Sequence, residues 1–164
     1  MLSMTFWMTE ELIFVKIYIR GFAEMQREVE RTLSAHTREV IEHMLKCYLM
    51  PDHPAVNHWK SEIANQICSV NKLKNTKKYP TANKIYAWTY EQNCAMLTNY
   101  TKFSNFVREI CNDYSIETIE PVKDIMDDFN KICKEYFSWL ANMLSTSGKA
   151  ASTDIYDKLD ELFR

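Results

Sequence analysis

The sequence is organised by a run of helix-spaced apolar residues, Phe22, Met25, Val29, Leu33, Val40, Met44 and Cys47, with His36 at the one step where another apolar residue is expected. A second stripe of the same kind runs through Val122, Ile125, Phe129, Ile132, Tyr136, Leu140 and Met143. Steps of three and four keep side chains on one face only if the backbone turns every 3.6 residues, so both stripes predict long helices. Two glycines and four prolines in 164 residues leave few places for the turns of an all-β fold. That length can bury a core without disulfides or metals as staples.

Helix boundaries follow from caps and prolines. Thr9, Glu10 and Glu11 suit a helix start, since a hydroxyl caps free amides and acids favour the positive helix end. Leu12-Ile13-Phe14-Val15 and Ile17-Tyr18-Ile19 are apolar nearly all round and β-branched, so a buried strand is the rival reading. Helix is preferred because no second strand-like run could satisfy the strand's amides. Gly21 is then expected to hinge this segment to a helix over 22–49. Pro51 to Pro54 stop that helix and start one over 54–73, with Pro54 in its first turn. Val56, Trp59, Ile63, Ile67, Val70 and Leu73 form its apolar stripe.

Beyond a lysine-rich turn at 74–80, Thr81 can cap a helix carrying Ile85, Trp88, Met96, Phe103, Val107, Ile110 and Tyr114. The polar stretch Thr98–Thr101 is expected to break it in two. Pro121 marks the entrance to a helix over 119–145, and Asp154 is expected to cap a short last one with Ile155, Leu159, Leu162 and Phe163.

Charge excludes little. The net charge is −2, with residues 1–90 at +3 and residues 91–164 at −5. This balance disfavours an obligate polyanion binder while leaving room for a local patch. Cysteines 47, 68, 94, 111 and 133 stand singly, with no Cys-x-x-Cys pair, which fits reduced core thiols in a cytoplasmic protein. Glu10, Glu11 and Lys16 interrupt the apolar amino end well before the roughly 20 residues that a membrane span needs. Asn99-Tyr100-Thr101 matches the glycosylation tripeptide, a pattern common by chance.

Two groups of residues carry candidate chemistry. His36, His43, Cys47, His53 and His58 offer nitrogen and sulfur ligands that zinc would accept, and the first three fit one helix face. Their spacing matches neither His-Glu-x-x-His nor the Glu-x-x-His pattern of di-iron bundles, so a hydrogen-bonded core or surface role is the simpler reading. The second group is Lys72, Lys74, Lys77, Lys78 and Lys84, set among Tyr79, Tyr86, Trp88 and Tyr90. Cations there could meet phosphates while rings stack on bases; lysines that merely solvate a turn are the plainer alternative. The carboxylates Glu117, Glu120, Asp124, Asp127 and Asp128 read as a solvated helix face, since Gly148 lies outside the cluster that a calcium loop would need. No phosphate-cradling glycine loop or nucleophile elbow is present.

Glu42-His43-Met44-Leu45-Lys46, Pro51, Trp59-Lys60-Ser61-Glu62-Ile63 and Tyr79-Pro80-Thr81-Ala82 together resemble a helical bacterial family catalogued as domain of unknown function twenty-nine. Its members show a His-Leu-Leu-Lys run, a proline, Trp-x-x-x-Ile and Tyr-Pro-x-Ala. The step from tryptophan to Tyr-Pro is shorter here, and a tyrosine-tryptophan pair occurs at Tyr86-Ala87-Trp88 rather than near the amino end. The resemblance implies a helical bundle and carries over no catalytic residue.

The sequence thus predicts an all-α, single-domain bundle of five or six helices across 1–164, with residues 1–8 as an arm or extension. Its leading functional reading is a non-enzymatic protein–protein interaction or self-associating module, as a homodimer, because the amino-terminal segment is apolar on more faces than a peripheral helix requires. Nucleic-acid binding through residues 72–84 is the alternative, and a metal-dependent hydrolase built on the histidines is third.

Overall fold

A computed structural model describes residues 3–74, 97–117, 121–146 and 150–163. These residues form helices α1 (Ser3–Leu49), α2 (Val56–Lys74), α3 (Tyr100–Asp113), α4 (Val122–Thr146) and α5 (Ser152–Leu162), with no strand among them. The fold is all-α, as the apolar stripes require. Backbone contacts divide the chain into two compact units, Met1–Thr32 and Leu33–Arg164.

The first unit is the amino-terminal part of α1. Its helix begins at Ser3, ahead of the start expected at Thr9, and residues 12–19 are helical rather than extended. The hinge expected at Gly21 is absent: the helix passes through it. A missing side chain weakens a helix without breaking its hydrogen-bond ladder, at a cost of about 1 kcal/mol relative to alanine. Lys16, Arg20, Glu24, Arg27, Glu28 and Arg31 are exposed along one side. Arg20 pairs with Glu24 at 3.2 Å and Arg31 with Glu28 at 3.8 Å, the one-turn spacing of a solvated helix face.

In the second unit the apolar positions of four helices meet. Leu33, Val40, Met44 and Cys47 of α1 are buried, as are Trp59, Ile63, Ile67 and Val70 of α2. Phe103, Val107 and Ile110 of α3 and Val122, Ile125, Phe129, Tyr136 and Leu140 of α4 complete this core. On α4, Cys133 and Phe137 are buried, whereas Ile132 and Met143 are half-buried, so the inward face is turned slightly from the expected stripe. Val29 lies outside the residues whose side chains are described. Helix α2 packs on α5, and α3 on α4.

The turns show where local chemistry decides. Pro51 lacks an amide hydrogen, and α1 ends two residues before it. Helix α2 starts at Val56, slightly later than expected, because the Ala55 carbonyl accepts the first helical bond, from Trp59 N at 3.0 Å. The break expected within 98–101 falls at Asn99, whose Oδ1 accepts from Lys102 N at 3.0 Å and caps α3. At the other end of α3, Ile116 N reaches Cys111 O at 2.9 Å and Ser115 N reaches Asn112 O at 3.2 Å. These are the paired bonds of a Schellman cap, with Ser115 at φ 54° where glycine is usual. The N-cap position of α5 is Ala151, which offers no side-chain bond, rather than the expected Asp154, which sits in the first turn and complements the positive helix end from there. The segment expected to carry Ile85, Trp88 and Met96 lies outside the described residues.

Truncating a fully buried side chain should confirm this core. Ile67→Ala or Leu140→Ala is expected to lower stability by about 2–5 kcal/mol in urea denaturation, whereas Ala substitution at exposed Arg27 should change it by less than about 0.5 kcal/mol.

Candidate functional site

The candidate ligands on α1 share a face without converging. His36, His43 and Cys47 align along the helix, but at 1.5 Å rise per residue the first lies about 10 Å from the second and about 16 Å from the third. The two histidines also have partners of their own. His36, half-buried, hydrogen-bonds through Nδ1 to the Gln66 side chain on α2. His43 donates from Nδ1 to the Glu39 carbonyl at 2.8 Å. Cys47 is buried, and desolvation pushes its thiol up to about 12, against a smaller opposing pull from Lys60. A thiol held protonated is a poor nucleophile at neutral pH.

His53 and His58 diverge as well. His53 Nδ1 accepts from Ala55 N at 3.1 Å, and His58 is exposed on α2. Among the described residues, no three His, Cys, Asp or Glu side chains come together as a metal-binding group. Four of the five cysteines are described, and Cys47, Cys68, Cys111 and Cys133 carry thiols rather than disulfides.

What does come together is a ring cluster at the α1–α2 turn. His53 stacks on Trp59 with centroids 4.9 Å apart, and both rings meet the Tyr114 ring edge-on at 5.4 Å. Lys46 Nζ lies 5.9 Å from the Tyr114 centroid and is held by Glu42 at 2.7 Å. Trp59 is buried at the start of α2, and Tyr114 caps α3. The cluster therefore clasps the turn to the end of α3. Sequence spacing could not reveal it, because Tyr114 is remote in the chain from both His53 and Trp59.

Two tertiary ion pairs hold α5. Lys60, only 12 % exposed, pairs with Asp160. Lys158, 11 % exposed, reaches Glu135 at 2.8 Å and Glu161 at 3.0 Å, and these bonds, the one to Glu135 foremost, raise its pKa. Beside it lies a shallow cleft of about 240 Å³ lined by Trp139, Met143, Asp154, Asp157, Lys158 and Glu161. Its lysine already has two carboxylate partners, and its walls open to solvent.

The basic group is only partly in view. Lys72 and Lys74 fall on the last turn of α2, with side chains outside the description. Lys77, Lys78 and Lys84 lie outside the described residues, as do Tyr79, Tyr86, Trp88 and Tyr90.

Burial of Cys47 has a consequence for alkaline stability. Its folded pKa is raised from the ordinary 9.0 to about 12, so the unfolded chain loses this proton first as pH rises. Stability from this thiol is full below about pH 8 and falls between pH 9 and 12, by about 1 kcal/mol at pH 10. Tyr48, raised by burial and by Asp128, adds to the loss above its ordinary 10.0. Urea midpoints at pH 8 and pH 10 should diverge in the wild type and diverge less in Cys47→Ala.

Comparison with protein-family models, curated proteins and solved structures finds no match to this chain.

Proposed function

We propose that the protein is a non-enzymatic helical interaction module that associates with itself as a homodimer. The observation that carries this reading is Ile19, 60 % exposed within an apolar helical run. The unit to which it belongs, Met1–Thr32, consists of one helix and has no second element of its own to cover an apolar face. Leu12 to Ile19 places apolar residue types on every side of that helix but the one Lys16 occupies, a composition typical of helices enclosed by others. Exposed apolar surface of this kind marks association sites.

The remaining features agree with a structural role. The candidate ligands are dispersed among separate partners, and Cys47 is held protonated. Buried thiols suit a reducing compartment, and we place the protein in the cytoplasm on that ground. Among the described residues no helix is long and apolar enough to cross a membrane. Kinship with domain of unknown function twenty-nine, which the segments at 42–82 suggest, is compatible with this reading and adds no activity to it.

Native mass spectrometry and light scattering across a dilution series test the proposal. Mass should be twice that of the 19.5 kDa chain at micromolar concentration, and a monomer at every concentration would overturn it. The same samples address the polyanion alternative. Replacing Lys74, Lys77 and Lys78 with glutamine should leave mass and stability unchanged, since exposed charges contribute little to folding. Salt-sensitive RNA or DNA binding tighter than about a micromolar, lost in that variant, would instead favour residues 72–84 as the functional surface.

A further inference from the structure

We propose that His53 is a proton-sensitive latch on the α1–α2 turn, closed by the neutral imidazole and released when the ring takes up a second proton. His53 is bonded at three points: its N donates to Met50 O at 3.1 Å, its O accepts from Val56 N at 3.0 Å, and its Nδ1 accepts from Ala55 N at 3.1 Å. The third bond fixes the state of the ring. An imidazole nitrogen accepts only while it carries no proton, so the single proton of this ring is on Nε2. His43 is the opposite case, because its Nδ1 donates to the Glu39 carbonyl and that bond survives protonation of the other nitrogen.

A second proton on His53 goes to Nδ1. The Ala55 amide then faces a donor, and turning the ring over does not restore the bond, because both nitrogens of an imidazolium donate. The new charge also stands at the start of α2, where amides left over by the helical ladder make the end positive. Little around the ring offsets this. Trp59 of α2 stacks on it at 4.9 Å and Tyr114 of α3 meets it at right angles at 5.4 Å. Lys46 of α1, 5.9 Å from the Tyr114 centroid, is itself a cation and is paired with Glu42. Lys60 of α2 is paired with Asp160, while Asp52 in the turn, His58 on α2 and Asp113 on α3 are exposed. Among the described residues no carboxylate pairs with His53. Attraction to the Trp59 face is the one gain for an imidazolium, set against a lost bond and an adverse dipole. The open turn therefore takes up the proton more readily than the closed one. Closure is full above the range in which an imidazole charges, near about pH 6.5, and weakens as the pH falls through it. Because the same ring stacks on Trp59 and Tyr114, its release loosens the turn from the end of α3.

Nitrogen NMR and amide exchange on the full-length chain test the latch. At about pH 7.5, Nδ1 of His53 should resonate as an unprotonated nitrogen and Nδ1 of His43 as a protonated one. Between about pH 7.5 and about pH 5.5, protection of the Ala55 amide relative to an unstructured chain should fall by about fivefold to tenfold. Protection of the Ile67 amide, deep in α2, should not change. Neither measurement needs a variant. His53→Asn keeps an acceptor and cannot charge, so its Ala55 amide should be protected equally at both pH values, whereas His58→Asn should behave as wild type. A protonated Nδ1 on His53 at the higher pH overturns the proposal. So do Ala55 protection that ignores pH, a loss shared equally by Ile67, and a loss that persists in His53→Asn.

Discussion

One constraint underlies the rest of this structure: the apolar stripe of α1 returns to the same side of the helix every eleven residues. Phe22, Leu33 and Met44 are spaced in this way, as are Met25, His36 and Cys47, and Val29 with Val40. Eleven residues in three turns is about 3.67 per turn, close enough to the 3.6 of a straight helix that the stripe barely drifts. A helix with this spacing can therefore keep its apolar positions on one face. Within Leu33–Leu49 that face is core, with Leu33, Val40, Met44 and Cys47 all buried. His36 takes the one polar step, and its bond to Gln66 satisfies it there. The bond ties α1 to α2 at that step.

The other helices are positioned by what that face leaves to be covered. Tyr48 meets Phe129 at 5.7 Å, and Phe129 meets Phe103 at 6.2 Å, so rings connect α1, α4 and α3 through the core. The His53–Trp59–Tyr114 cluster closes the end of this assembly. Helix α5 is short, burying Ile155 and Leu159, and it adds Lys60–Asp160 and Lys158–Glu135 to that apolar contact. Both lysines are largely withdrawn from water, which strengthens their pairing relative to the fully exposed Arg20–Glu24 pair but also charges a desolvation cost. Packing supplies most of the stability, and the ion pairs orient the last helix.

Local features of the sequence were the legible ones. The α1 stripe from Leu33 onward, the α2 stripe, the stop at Pro51 and the polar break near Asn99 each arise from short-range chemistry and appear where spacing and caps place them, whereas the α4 face is turned slightly toward Cys133 and Phe137. Gly21 misled because glycine permits a hinge without imposing one, and intact i to i−4 bonds on either side keep the helix continuous. Asp154 misled because an acid in the first turn favours a helix start from N3 as well as from the cap itself. Helical phase brings His36, His43 and Cys47 to one face, which makes them candidate metal ligands beside the simpler hydrogen-bonded reading. Axial rise then separates them, and phase alone carries no information about distance along the axis. The Trp59–Tyr114 contact and the two lysine pairs depend on tertiary packing, and no local pattern in the chain announces them.

On this account α1 has two parts: its apolar stripe is intramolecular core from Leu33 onward, and the helix before it is the proposed self-association surface. Hydrogen exchange along α1 as a function of protein concentration measures that division directly. Amides of residues 33–49 should show strong protection that is independent of dilution, because their burial is internal to the chain. Amides of residues 12–31 should be protected at high concentration and lose protection in step with dissociation of the dimer. Protection of residues 12–31 that stays equally strong at every dilution would contradict the account.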